Sequence, residues 1–128
     1  VGPRNDIDVE FREHHTSHVI IQVRLRRPEA RMNVGIGRIQ LRLPENDSLK
    51  GKRHTLRSVI DRVKGRFNVS IADVDDNDRW RLITLGVTCV SNDSRHANEM
   101  LSRVVDYIDS IRGDAELLDY QVEILTAF

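Results

Sequence analysis

The order in which the hydrophobic periodicity changes along the chain restricts the possible folds more than any other feature of this sequence. From Asn33 onwards, segments whose apolar residues alternate at every second position are interrupted by two segments with apolar residues every three or four positions. The first period is typical of a half-buried strand and the second of an amphipathic helix. The predicted order is therefore strand, helix, strand, strand, helix, strand.

The first helical segment follows a capping signal and is strongly basic. Ser48, or Asp47 before it, can accept hydrogen bonds from the free amides of the first turn. The apolar positions that mark the core-facing side are Leu49, Leu56, Val59, Ile60, Val63 and Phe67. Asp61 is the single acid of this segment. Its cations are Lys50, Lys52, Arg53, Arg57, Arg62, Lys64 and Arg66.

The other elements have equally local signals. A first strand with alternating Ile39, Leu41 and Leu43 ends at Pro44. Strands at 68–74 and 80–90 are joined by an acidic turn, which predicts a β-hairpin. A second helix starts after the cap residues Asn92 and Asp93 and stops at Gly113, and a last strand alternates through Leu118, Tyr120, Val122 and Ile124.

This order predicts an α+β, ferredoxin-like βαββαβ fold. Right-handed crossovers would arrange it as a four-stranded antiparallel sheet with both helices on one face. We expect strands one and three to be parallel neighbours, so that both helices begin at the same edge of the sheet. Residues 48–53 and 91–96 would then lie side by side.

The chain divides into an N-terminal arm, 1–31, and a domain, 32–128. Only Val19, Ile21, Val23 and Leu25 in the arm alternate as in a strand, and Pro28 follows them. Either the natural protein begins at Met32, or the arm is real and its strand adds to a sheet edge. A chain of 128 residues suits one domain with a core of its own.

Composition and charge indicate the cellular environment expected for the protein. The formal net charge is zero, yet residues 93–128 carry eight acids against three arginines, so a basic and an acidic region are expected. A single cysteine, Cys89, excludes an intrachain disulfide and fits a reducing cytosol. No apolar run approaches the ~20 residues of a membrane span, so we expect a cytoplasmic protein without a membrane partner.

Two motifs resemble a known family. Ser48-Leu49-Lys50 with Lys52-Arg53, and Ser91-Asn92-Asp93 with Arg95-His96, together look like the YlxP-like family of small bacterial proteins of unknown function. The resemblance spans residues 32 to about 125, with Gly51 where the family often has a charged helix former. It implies a ferredoxin-like fold. Because the family's genes often lie beside those for ribosome maturation and translation initiation factors, it also implies an association with RNA or ribosomes.

The two helix starts and their cations suggest a phosphate site. Free helix amides and nearby cations attract anions, although Asp47 and Asp93 could occupy the same positions. We expect an RNA- or ribosome-associated protein that binds the phosphate backbone through its first helix. The alternative is a dimeric interaction module that uses the open face of the sheet, with Trp80 and Leu82 at the contact. The candidate nucleic-acid-binding residues are Lys50, Lys52, Arg53, Arg57, Asn92, Arg95 and His96.

Catalytic and metal patterns are weak. Ser91, Asp93 and His96 lie too close together in the chain for a triad. A calcium loop starting at Asp73, Asp75 and Asn77 lacks its glycine and its final acid. His14, His15 and His18 have no partner motif for a metal, and we treat them as surface residues. We therefore expect no enzyme activity, no metal and no cofactor.

Overall fold

The structure, a computed structural model, describes residues 7–13, 19–25, 31–75 and 79–128. Its strands are β1 (Ile7–Glu13), β2 (Val19–Leu25), β3 (Met32–Arg42), β4 (Ser70–Asp73), β5 (Leu82–Ser91) and β6 (Glu116–Ala127). Its helices are α1 (Leu49–Arg66) and α2 (Ser94–Ile111). From β3 onwards the order is βαββαβ, as the periodicity predicted, and the bounds differ from the predicted ones by a few residues.

The four strands β3 to β6 form one antiparallel sheet in the order β4-β5-β3-β6. Both helices pack on the same face of it, α1 against β4 and β5, and α2 against β3, β5 and β6. This is the α+β, ferredoxin-like arrangement. The opposite face carries no helix, and we call it the open face.

The core lies between the helices and the sheet, at the positions that the alternation marked. Ile39 and Leu41 of β3 are buried, as are Leu85 and Val87 of β5. From α1, Val59 and Val63 are buried, while Leu56, Ile60 and Phe67 pack partly buried at its rim. From α2, the buried residues are Ala97, Leu101, Val104, Val105 and Ile108. Gly113 has a φ of +60°, the left-handed conformation that ends helices at glycine.

The expectation that strands one and three are parallel is wrong. β3 pairs with β5 in antiparallel register, from Asn33 opposite Ser91 to Arg42 opposite Leu82. The right-handed crossover through α1 makes β3 and β4 parallel, and the β4–β5 hairpin then inserts β5 between them in the opposite direction. The two helices therefore begin at opposite ends of the sheet.

The N-terminal arm forms a hairpin of its own. β2 is the strand that the alternation predicted, but it pairs with β1 rather than with an edge of the four-stranded sheet. The strand β1 was not predicted from the sequence, although Ile7, Val9 and Phe11 alternate there. The four-stranded sheet is thus complete without residues of the arm.

We predict that a variant lacking residues 1–31 folds, because every strand and helix of the ferredoxin-like unit lies after Arg31. Thermal melts of the full chain and the shortened chain should agree within a few degrees. A drop of more than about 10 °C would exceed what the loss of about 1 kcal/mol produces in a domain of this size. It would show that the hairpin is part of the cooperative unit.

Candidate nucleic-acid interface

The two halves of the predicted phosphate site lie far apart. Lys50 and Arg53 follow the end of β3 at Arg42, whereas Arg95 and His96 follow the end of β5 at Ser91, which is opposite Asn33. Nine residues of extended chain separate these ends by about 30 Å. Asn92, Arg95 and His96 are exposed, but they cannot bind the same phosphate group as the cations of α1.

Both helix N-termini are already capped by side chains of the chain itself. Ser48 is the N-cap of α1, and its hydroxyl accepts a hydrogen bond from the Gly51 amide at 3.0 Å. Asp93 is the N-cap of α2, and its carboxylate accepts from the Arg95 amide at 2.9 Å. These oxygens hold positions that a bound anion would occupy. A phosphate site made of helix amides is therefore not what the geometry favours.

Lys52 is a structural residue rather than a surface cation. Its side chain is only 4% exposed, and its ammonium group donates to the backbone carbonyl of Arg79 at 3.0 Å. The sequence contained a signal for this, because Lys52 lies seven residues before Val59 and four before Leu56, on the core side of the helix. It belongs to the contact between α1 and the segment that leads into β5.

Asn46 fixes the loop before α1 to the same segment. Its side-chain amide donates to the carbonyl of Ser48 at 2.7 Å and also to the carbonyl of Trp80. In return, the Arg81 guanidinium donates to the Asn46 carbonyl at 3.0 Å, and the Leu43 amide donates to the Arg81 carbonyl at 2.8 Å. These bonds hold the entry of α1 against the start of β5.

This loop explains the glycine in the first turn of α1. A Cβ atom on Gly51 would overlap the side-chain oxygen of Asn46. Asn46 cannot move aside without releasing Ser48 and Trp80, so its position requires glycine at residue 51. Glycine lowers helix propensity by about 1 kcal/mol relative to alanine, and the close approach of Asn46 explains why it nevertheless occurs here.

What remains of the predicted interface is one side of α1. Lys50, Arg53, Arg57 and Lys64 are all exposed, and their spacing of three, four and seven places them on the outward side of the helix. We call these four residues the basic strip. It is about 21 Å long at 1.5 Å per residue. Within the described residues, none of the four side chains makes a hydrogen bond or an ion pair.

Two neighbours limit the basic strip. Asp61 is exposed on the same side of α1, between Arg57 and Lys64, and lowers the local positive potential. The guanidinium group of Arg66 lies 4.8 Å from the centre of the Tyr107 ring, so this cation is engaged with α2. The most cationic part of the strip is therefore its first half, from Lys50 to Arg57.

The open face lacks the groups that stack on bases. The register of β3, β5 and β6 places no aromatic residue on that face of the described strands. Tyr120 is opposite Ile39 and so shares the helix side of the sheet, and Trp80 lies in the turn before β5. Sheets that bind single-stranded RNA by stacking use two or three aromatic rings.

A cleft of about 360 Å³ lies beside the start of α1. It is bordered by the loop before α1, by the side of α1 that carries His54 and Ser58, and by the turn after α2 with Asp114. Arg112 in this turn is bonded to the Asp109 carboxylate at 2.7 Å and to the Ala115 carbonyl. The charges around the cleft are mixed, so it does not extend the basic strip.

The cysteine and the potential metal ligands considered in the sequence do not form a reactive site among the described residues. Cys89 is buried in β5, and this burial raises the pKa of its thiol, with a smaller opposing effect from the Gly35 backbone. The described part of the chain contains no cluster of three potential metal ligands. His14, His15, His18 and Asn77 lie outside the described residues.

Comparison with known proteins agrees with the resemblance seen in the motifs. The profile of the family DUF503, described as "Protein of unknown function", matches residues 34–122. The uncharacterized protein YlxP of Bacillus subtilis (strain 168) is 32% identical over 77 residues, which cover 60% of this chain and 84% of that protein.

Among solved structures, the de novo designed protein Foldit4 matches 77% of this chain and 98% of its own length. The sequence identity is 17% and the TM-score is 0.40. Neither α1 nor α2, the helices of the described chain, has the length and hydropathy of a membrane-spanning helix.

We predict that Lys52→Met destabilises the protein while Lys50→Met does not. The first change removes the donor to the Arg79 carbonyl from a buried position, which should lower the free energy of unfolding by about 1–3 kcal/mol. The second alters an exposed side chain and should stay within about 0.5 kcal/mol of the parent. Urea denaturation of the three proteins measures both effects, and equal stabilities would mean that the Lys52–Arg79 bond is unimportant.

Proposed function

The chain belongs to the DUF503 family, and from this starting point we propose that it is a non-enzymatic protein that binds the phosphate backbone of RNA through the basic strip of α1. The observation that carries the proposal is the strip itself. Lys50, Arg53 and Arg57 form a continuous exposed row that no acidic side chain of the described residues neutralises by an ion pair.

A row of this kind fits a polyanion better than a small metabolite. A single phosphate would need converging donors, and the amides that could converge are capped by Ser48 and Asp93. A nucleic-acid backbone instead offers a series of charges along a line, and binding releases the counterions that surround them. The length of the strip allows several such contacts at once.

The proposed contacts position the RNA without identifying its sequence. Lysine and arginine side chains on phosphate oxygens carry no base information. Base recognition in single strands depends on stacking and on hydrogen bonds to base edges, and the open face offers no stacking rings. We therefore expect binding to structured RNA, such as that of the small ribosomal subunit, with little preference for sequence.

The motif on which the family resemblance partly rests includes part of the basic strip. The motif at 48–53, on which that resemblance partly rests, contains Lys50 and Arg53 of the basic strip. It also contains Ser48, Gly51 and Lys52, which shape the start of α1. One short motif thus both builds the helix entry and supplies its outward cations.

The test is RNA binding as a function of salt. Changing Lys50, Arg53 and Arg57 together to Gln should lower the slope of log affinity against log salt by ~2–3, since each lost phosphate contact contributes roughly 0.7–0.9. Lys52 is left unchanged because its loss would affect folding. The melting temperature of the triple variant should be no lower than that of the parent, because these side chains make no hydrogen bond or ion pair within the described residues and cations near a helix N-terminus oppose its dipole.

A matched control removes three cations elsewhere. Arg31, Arg62 and Arg103 are exposed outside the basic strip, and changing them to Gln alters the net charge by the same amount. This control should retain most of the affinity, and Asp61→Asn should raise the affinity of the parent. If the α1 triple variant binds RNA as tightly as the parent at physiological salt, the basic strip is only a solvated surface.

A further inference from the structure

One end of the open face is apolar and exposed. The register places Val34 of β3 directly between Val90 of β5 and Leu125 of β6, with Ile36 next to it. Val90 is 66% exposed, Leu125 47% and Ile36 40%. We call Val34, Ile36, Val90 and Leu125 the apolar patch. Contiguous exposed apolar residues of this kind mark interaction sites in soluble proteins.

The rest of the open face is charged, with opposite signs on neighbouring strands. β3 carries Arg38 and Arg42, whereas β6 carries Glu116, Asp119 and Glu123 on the same face. Arg42 pairs with Glu116 inside the chain, at 3.2 Å. Among the described residues Arg38 and Glu123 have no ion pair. Arg38 on β3 is thus opposite the part of β6 that carries Asp119 and Glu123.

We propose that a second copy of this chain packs on the open face, related by a two-fold axis that runs parallel to the strands between β3 and β6. Such an axis lies in the interface and places β3 of each copy over β6 of the other. Residues that are opposite each other in the β3–β6 register then meet across the interface. The interface is then isologous, so each contact occurs twice.

This arrangement matches both the apolar and the charged halves of β3 and β6, while Val90 of β5 lies at the margin of the contact. At the apolar end, Val34 of one copy lies over Leu125 of the other, which removes both from water. At the charged end, Arg38 of one copy lies over the strand that carries Asp119 and Glu123 in the other. A two-fold axis perpendicular to the strands would instead place the apolar patch over the charged end.

The size of the face sets the expected affinity. Because β6 is an edge strand, an axis between β3 and β6 leaves β5 beyond the second copy's β6, so only β3 and β6 overlap. Two strands about 4.8 Å apart and about ten residues long give a projected area on the order of 300 Å². A dimer of this area falls below the roughly 1,200 Å² in total at which standard interfaces begin, so it is a weak, transient contact. We therefore expect a dissociation constant on the order of 100 μM to 1 mM.

The contact differs from the one that the sequence suggested. Trp80 is 50% exposed, but it lies in the turn before β5, at the end of the sheet opposite the apolar patch. Its carbonyl is bonded to Asn46, so its backbone belongs to the loop around the start of α1. Trp80 is therefore a suitable control position, an exposed apolar residue outside the proposed contact.

The first test is sedimentation of the full chain at concentrations from about 20 μM to 1 mM, which spans the expected range of dissociation constants. The parent should sediment as a monomer–dimer equilibrium. Leu125→Asp should weaken the dimer at least tenfold, because it places a charge against Val34 of the second copy. Trp80→Asp should leave the equilibrium unchanged, and circular dichroism should show that both variants are folded.

A charge exchange tests the position of the axis. Arg38→Glu alone and Glu123→Arg alone should each weaken the dimer, since each puts like charges face to face. The double variant should recover most of the affinity of the parent, because the opposite signs meet again. If the double variant is weaker than both single variants, β3 does not lie over β6 and the proposed axis is wrong.

Two other outcomes would overturn the proposal. A parent protein that stays monomeric over the whole concentration range removes the second copy as the occupant of the face. If Leu125→Asp in such a monomer also speeds tryptic cleavage after Arg12 or Arg24, the chain's own hairpin covers the patch instead. Dissociation by Trp80→Asp with no effect of Leu125→Asp would place the dimer contact at the other end.

Discussion

The antiparallel pairing of β3 with β5 determines where every surface of this protein lies. Because these two central strands run in opposite directions, α1 and α2 start at opposite ends of the sheet and run antiparallel to each other. The first turns of α1 consequently lie beside the turn after α2. The negative end of the α2 dipole, with Asp114 in the turn after it, therefore offsets part of the cost of placing cations in the first turns of α1.

Features that depend on a few neighbouring residues could be predicted from the sequence. The Ser48 cap, the end of α2 at Gly113 and the alternating core of β3 and β5 all follow from local rules, and the structure shows them. The element order was equally accessible, because the two hydrophobic periods are distinct over each segment. The last strand, β6, was the least well bounded, because it extends from Glu116 to Ala127 and a register irregularity opposite Gln40 and Leu41 interrupts its alternation.

Features that depend on which elements meet in space were predicted less well. The separation of Arg95 and His96 from the α1 cations follows from strand direction, which spacing along the chain does not reveal. Lys52 was grouped with its charged neighbours, although its position before Val59 placed it on the core side. Charge alone is thus a poor guide to exposure where a lysine falls on the apolar side of a helix, because its carbonyl partner lies 27 residues away.

The burial of Lys52 gives the protein an internal reporter of local opening. The chain contains three lysines, and Lys50 and Lys64 are exposed on the same helix. An amine-reactive reagent would modify those two freely, whereas Lys52 reacts only when the segment around Arg79 separates from α1. The ratio of the labelling rates thus measures the free energy of that opening, with the reference reactivity supplied by the same helix.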